Sequence, residues 1–147
     1  MKNSKQIANR FREVILNGKW IANTNYKNSL SSITWKQATT KVSSLNTIAA
    51  LAYHINYYTA GVVNVFDGGA LEIRDKYSFD VPEIKSQEDW ENLLNEMWSN
   101  AEKFANHIEL MSDEKLNEVF VDEKYGSYLR NIEFQLKRTI TALDLIW

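Results

Sequence analysis

The chain contains no cysteine, one proline and five glycines among its 147 residues. The absence of cysteine excludes disulfide bonds, thiolate metal ligands and a cysteine nucleophile. Five glycines and one proline are too few for the many tight turns of a β-sandwich or β-barrel. Because 44% of the residues are apolar, a chain of this length can bury a real core. These features predict an all-α protein with a single domain over residues 1–147.

The chain also lacks a strong excess of either charge and a clear targeting segment. A net charge near −2 gives no argument for binding nucleic acid or an anionic membrane. The first ten residues contain no apolar run, so we do not expect a secretory signal there. Residues 42–66 are free of charged side chains, but polar residues such as His54 and Asn56 interrupt them, and such groups are costly at bilayer depth. We expect no membrane or nucleic-acid partner and a cytoplasmic location.

Four segments show the hydrophobic period of an α-helix. They cover about Ser4 to Leu30, about Leu45 to Phe66, Ser86 to about Ile108, and Ser127 to Trp147. Gly18 is expected to kink or break the first, and Ser44 or Asn46 to cap the second. Ser86 and Asp89 have the spacing of a capping box at the start of the third. With long connections at residues 67–85 and 112–126, the pattern predicts a four-helix bundle with long middle connections.

The connections carry their own local signals. The Asp67-Gly68-Gly69 sequence is typical of a helix C-terminus. Residues 72–76 have mixed charge and predict a solvated loop. Ser112 is placed to open a short turn, and residues 119–126 alternate apolar and charged side chains, which predicts a brief extended or hairpin-like excursion.

Motifs for nucleophilic or nucleotide chemistry are absent from the sequence. There is no Gly-x-Ser-x-Gly elbow, Walker-type loop, Gly-x-Gly-x-x-Gly or His-Glu-x-x-His sequence. Two histidines cannot by themselves build a three-histidine zinc site. His107 follows Asn106 and precedes an apolar stripe residue, and we interpret it as a surface or boundary residue.

His54 is the residue with the clearest chemical potential. It lies in the middle of the uncharged segment, three residues after Leu51 and four before Tyr58, so it faces inward. A buried imidazole needs a hydrogen-bond partner or loses on the order of 1–3 kcal/mol of solvation free energy. His54 is therefore either a core residue satisfied by a nearby polar group, or a ligand or acid–base group at the bottom of a pocket.

A set of sequence pieces around His54 resembles a known family. Residues 45–58 read Leu-Asn-Thr-Ile-Ala-Ala-Leu-Ala-Tyr-His-Ile-Asn-Tyr-Tyr; they follow Trp35–Ala38 and precede a Gly-rich loop, a helix opening at Ser86 and the sequence Tyr125-Gly126-Ser127-Tyr128. In order and spacing these pieces resemble the DinB/YfiT-like superfamily of metal-dependent four-helix bundles, up to about Glu133. The resemblance implies a homodimer with a three-histidine site for a divalent metal (Zn or Ni), and in some members a transferase or isomerase reaction that uses a small thiol.

The chain departs from this pattern on its last helix. His54 matches the first metal-binding histidine, but the two others, four residues apart, are replaced by Arg138 and Ala142. A guanidinium has no lone pair to donate, and a single imidazole does not bind zinc or nickel firmly. We therefore expect an incomplete metal site, no bound cofactor and no metal catalysis. Because the agreement ends abruptly after Glu133, a frameshifted C-terminus is a hypothesis that resequencing of the gene tests.

Three functions follow from these observations. In the first, the metal is lost and a pocket formed by His54, Tyr58 and Arg138 binds a carboxylate or phosphate of a small ligand; alternatively, Arg138 extends to solvent or pairs with a surface acid. In the second, the protein is a metal-dependent, small-thiol-dependent transferase or hydrolase with other ligands. Candidates for these ligands are His107, Glu133 and Asp144. In the third, the protein is a non-catalytic structural or regulatory homodimer.

Overall fold

A computed structural model describes the chain at residues 2–18 and 25–146. These residues form seven α-helices: Lys2–Arg12 (α1), Tyr26–Ser31 (α2), Trp35–Ala38 (α3), Ile48–Phe66 (α4), Gln87–Glu109 (α5), Asp113–Asn117 (α6) and Tyr128–Ile146 (α7). A π-helical segment, Glu13–Asn17, continues α1, and single 3-10 turns lie at Asp75–Tyr77 and Glu123–Tyr125. Within the described ranges there is no β-strand, only one isolated antiparallel bridge. The prediction of an all-α fold is confirmed for this part of the chain.

The N-terminal helical segment ends where the sequence predicts a break. The π-helical continuation of α1 stops at Gly18, whose backbone is extended. Helix resumes at Tyr26, where the Asn25 side chain accepts a hydrogen bond from the Asn28 N–H at 2.9 Å. The predicted helix from Ser4 to Leu30 is therefore two elements; its positions 19–24, like Trp147 at the other end of the chain, lie outside the described residues.

The start of α4 differs from the sequence prediction. The helix begins at Ile48 rather than Leu45, and its N-cap is Thr47, whose hydroxyl accepts a hydrogen bond from the Ala50 N–H at 3.1 Å. The prediction of Ser44 or Asn46 as the cap was wrong. Residues 42–45 form a turn instead, in which Ser43 has a left-handed backbone with φ of 53°. Such a conformation does not continue into a right-handed helix.

The end of α4 has a Schellman motif at the predicted position. Gly68 has a φ of +96°, a conformation that glycine adopts without the steric cost of a Cβ. The Gly68 N–H donates to the Val65 carbonyl at 3.0 Å, and the Gly69 N–H donates to the Asn64 carbonyl at 2.8 Å. These two bonds satisfy carbonyls that the helix end leaves unpaired.

The predicted N-cap of α5 is confirmed, but only half of its capping box forms. The Ser86 hydroxyl accepts from the Asp89 N–H at 3.1 Å. The Asp89 carboxylate accepts from the Lys85 N–H at 2.9 Å, one residue before the position that a capping box requires. Two predictions for the second connection are also confirmed: Ser112 caps the short α6, and an antiparallel bridge pairs Val119 with Ser127.

The core joins α1, α4 and α5 through aromatic rings. Helix α5 packs against both α1 and α4, and α4 also packs against α7. Phe104 of α5 is fully buried; its ring centroid lies 4.5 Å from that of Phe11 of α1 and 5.7 Å from that of Phe66 of α4. Because large apolar rings contribute most of the area removed from water, this cluster stabilises the relative placement of three helices.

Helix α4 carries the apolar, uncharged segment, and its length raises the question of a membrane span. In residues 2–18 and 25–146, none of the helices combines the length and the hydropathy that crossing a bilayer requires. The buried residues of α4 include the polar side chains Asn56 and Thr59. Thr59 bonds the Ile55 carbonyl at 3.0 Å, and Asn56 accepts from Asn100 of α5 at 3.1 Å. Of the polar interruptions seen in the sequence, Asn56 and Thr59 are thus paired inside the protein.

Candidate functional site

His54 and Tyr58 lie on the same face of α4, one helical turn apart. The four-residue spacing places their side chains one above the other, and their ring centroids are 5.1 Å apart in an edge-to-face arrangement. Phe79 stacks in parallel on the imidazole, with the ring centroids 4.0 Å apart. The Nδ1 atom of His54 is buried, and it makes no hydrogen bond. The two rings therefore position His54, and the Ser78 backbone also hydrogen-bonds the imidazole.

The connection between α4 and α5 is fastened to this face of α4 by two tyrosines. The Tyr58 hydroxyl donates to a carboxylate oxygen of Asp75 at 2.5 Å. The neighbouring Tyr57 hydroxyl accepts from the Arg74 N–H at 2.8 Å and donates to the Arg74 carbonyl at 3.1 Å. These bonds place the exposed Asp75 at the edge of a buried tyrosine.

The same connection approaches α4 closely one helical turn further on. Ile73 lies directly against Gly61, so that a Cβ at position 61 would overlap the Ile73 side chain. The absence of a side chain at Gly61 therefore allows the connection to lie close to the helix.

Arg138 reaches Tyr58 from α7. Its guanidinium carbon lies 3.7 Å from the centroid of the Tyr58 ring and 5.1 Å from that of Phe134. One Nη atom donates to the Gln135 amide oxygen at 2.8 Å. The Gln135 side chain is almost fully buried, and its amide nitrogen donates to the Thr59 hydroxyl at 2.8 Å. A chain of hydrogen bonds from α4 thus orients the guanidinium against the tyrosine.

The charges of this cluster follow from its burial. Burial, and then the positive charge of Arg138, lower the pKa of His54, although the Ser78 backbone and Asp75 act in the opposite direction. His54 is therefore neutral at pH 7. Burial and the hydrogen bond to Asp75 raise the pKa of Tyr58, so the phenol stays protonated. Burial lowers the pKa of Arg138, but a guanidinium remains charged at neutral pH.

A cavity of about 420 Å³ opens beside Tyr58 and Arg138. Its size is within the range of small-molecule sites. It is lined by Tyr58, Val62, Leu71, Ile73, Asp75, Phe120, Lys124, Tyr125, Arg130, Asn131, Phe134 and Arg138. His54 is not one of the lining residues and lies behind Tyr58. Three of the lining side chains are cationic and one is anionic, so this cavity, unlike the chain as a whole, has an excess of positive charge.

The structure brings together the three residues predicted for a ligand pocket and separates the proposed additional metal ligands. His107 pairs with Asp67 at 2.7 Å. Asp67 caps the C-terminal end of α4, about 20 Å from His54 by the helical rise. Glu133 is exposed and lines a different groove, between α1 and α7. The side chain of Asp144 lies outside the described part of the structure. Among the residues whose side chains are described, no three His, Asp or Glu groups are placed to bind one metal ion.

Several members of the cluster were not predicted from the sequence. The charged residues Glu72, Arg74, Asp75 and Lys76 are indeed exposed, as in a solvated loop, but Asp75 also accepts the hydrogen bond from Tyr58. Nothing in the sequence around Phe79 and Gln135 indicated that they belong to the site. The stacking of one and the burial of the other depend on which elements meet in the fold. The four-residue step from Phe134 to Arg138 could have suggested that both face one cavity.

The chain was also compared with known proteins. No family model, no curated protein and no solved structure matches it. The function is therefore inferred from the chemistry of the cluster itself.

Proposed function

We propose that the chain is a DinB-like four-helix bundle in which Arg138 replaces the metal centre and the cavity binds a small organic anion. In this proposal α1 with its continuation, α4, α5 and α7 are the four helices of the bundle. The order of the long helices, the two long connections and the position of His54 on α4 support the family assignment.

The proposal rests on the burial and the contacts of the Arg138 guanidinium. It is partly buried against Tyr58 and bonded to the neutral Gln135. Within the described residues, no carboxylate lies within 4.0 Å of it. Asp75 acts on it only from a greater distance. A guanidinium has five N–H donors, and a partly buried one with no carboxylate in direct contact favours an anion beside it. Carboxylates and phosphates match its planar fork and form short, charge-assisted bonds.

The donor set near His54 does not fit a divalent metal. Zinc and nickel sites need three or four lone-pair donors in a defined geometry. His54 supplies one buried nitrogen, whereas Arg138 supplies positive charge and no lone pair. The positive charge of Arg138 repels a metal ion and attracts an anion. This favours the metal-free function over a metal-dependent transferase.

Replacement of Arg138 tests the binding function. We expect octanoate to bind the wild-type protein in isothermal titration calorimetry at low ionic strength. Arg138→Gln should weaken this binding about tenfold or more, since a charge-assisted hydrogen bond contributes roughly 1.5–3 kcal/mol. Lys137→Gln removes the same charge from the neighbouring residue, which faces the groove between α1 and α7, and should leave the affinity unchanged. Equal loss in both variants, or no binding by the wild type, would contradict the proposal.

Metal analysis distinguishes the alternative function. Protein purified without added metal is expected to contain far less than one equivalent of zinc or nickel by mass spectrometry. A stoichiometric ion that a chelator removes would reject the metal-free function and support a metal-dependent transferase or hydrolase instead.

A further inference from the structure

The cationic side chains of the cavity are divided between its two ends. Arg138 is partly buried against Tyr58, whereas Lys124 and Arg130 are exposed. With Asp75 as the one acidic lining residue, the cavity has an excess of two positive charges. A ligand with one carboxylate neutralises only half of this excess.

The spacing along α7 separates the two ends by a defined length. Arg130, Phe134 and Arg138 follow one another at four-residue steps, so they form a stripe along one side of the helix. The rise of 1.5 Å per residue places Arg130 about 12 Å from Arg138. Between them lies the Phe134 ring, which is 60% exposed, and Leu71 and Ile73 also line the cavity. The stripe is therefore cationic at both ends and apolar in the middle.

The two outer cations lie beside neighbouring groups. The Lys124 ammonium lies 5.1 Å from the centroid of the Tyr125 ring, a distance at which cation and ring attract. The Arg130 side chain occupies the space beside Gly126, where a Cβ would lie 2.7 Å from the Arg130 Cδ. Both residues belong to the segment that leads into α7, or to its first turn.

We propose that the cavity is built for an elongated dianion, of the class of α,ω-dicarboxylates, with an apolar chain between its two charged groups. One carboxylate binds Arg138, the chain packs on Phe134, and the second carboxylate is bound by Arg130 and Lys124. This inference rests on the proposed function, because it takes Arg138 as the anchor for the first carboxylate.

Suberate and octanoate provide the matched pair of probes. Both have eight carbons, and suberate differs by a second terminal carboxylate. At low ionic strength we expect suberate to bind about fivefold tighter than octanoate in isothermal titration calorimetry. Succinate, which is too short to span the stripe, should bind more weakly than suberate. The preference for suberate should shrink in 0.5 M salt, because the outer cations are exposed and are screened.

Arg130→Gln is the variant that tests the second contact. It should remove the preference for suberate over octanoate, whereas Lys137→Gln should keep it. If the wild type binds both acids equally, or if Arg130→Gln keeps the preference, the dianion inference is overturned while anion binding at Arg138 stands. If the wild type binds neither acid, the proposed function and this inference are both overturned.

Discussion

His54 shows how burial and one nearby charge together can set the charge of a single residue. Its ring contacts Phe79 and Tyr58, and the Arg138 guanidinium lies on the Tyr58 ring. Burial and the nearby positive charge both favour the neutral imidazole. The residue that the sequence marks as a metal ligand is therefore, in this fold, a neutral ring within an aromatic stack.

The stability of the protein should depend on pH through this residue. The pKa of His54 in the folded state lies below its ordinary value of 6.5. Between the two values the unfolded chain binds a proton that the folded chain does not, so stability rises with pH in this window. We expect the free energy of unfolding of the wild type to fall as the pH is lowered from 7 towards 5. His54→Gln should remove this part of the dependence.

Urea unfolding at several pH values checks this expectation. His107→Gln is the matched control, because it removes the other histidine and keeps the contribution of His54. Titration of the His54 ring proton by NMR gives the pKa directly in the wild type, without relying on a variant. A midpoint at or above 6.5 would contradict the burial that the structure describes.

At the scale of elements, the long helices were predictable and their exact ends were not. The periodicity of α4, α5 and α7 reflects burial of one side of each helix, a property that the sequence carries locally. The start of α4 depends on a choice among Ser44, Asn46 and Thr47, all of which are acceptable caps. In the structure Thr47 has the extended backbone angles of an N-cap, and backbone angles cannot be read from residue type.

The N-cap of α4 gives a direct test at this scale. Thr47→Ala removes the hydroxyl that accepts from the Ala50 N–H and should lower the free energy of unfolding by about 1 kcal/mol. Ser44→Ala removes the hydroxyl of the cap that the sequence suggested, and it should change stability by less than about 0.5 kcal/mol. Urea denaturation of the two variants measures these losses. A larger loss of stability in Ser44→Ala than in Thr47→Ala would instead place the helix start where the sequence prediction put it.

On the scale of the whole molecule, stability and binding depend on different aromatic residues. Phe104 is fully buried where α1, α4 and α5 meet, whereas Phe134 is 60% exposed at the cavity. Phe104→Ala should cost about 3–5 kcal/mol of unfolding free energy, a large part of the total for a domain of this size. Phe134→Ala should cost little stability but weaken octanoate binding.

Thermal or urea unfolding and calorimetry on the same two proteins separate these effects. If Phe134→Ala destabilised the protein as much as Phe104→Ala, Phe134 would be a core residue and the cavity would not be open at this position. Wild-type octanoate affinity in Phe134→Ala would show that the ring is not part of the binding surface.

The candidate site was predictable only where it lies within one helix or follows the family resemblance. The step from His54 to Tyr58 is a property of α4 alone, and Arg138 was found because it stands at a position expected to hold histidine. Asp75 and Phe79 come from a connection without periodicity, so their approach to α4 follows from tertiary packing. The prediction therefore identified the centre of the cluster and missed the side that the connection contributes.

Because Ile73 lies so close to Gly61, a change at position 61 can alter the shape of the cavity without changing its charges. A methyl group introduced at position 61 would force Ile73, which forms part of the cavity wall, away from the helix, and every ionisable side chain would be kept. Variants that differ only at position 61 would thus accept ligands of different width, while the charged side chains of the cavity stay the same. The selectivity for ligand width would then change between variants, and Arg138 would still bind the anionic group.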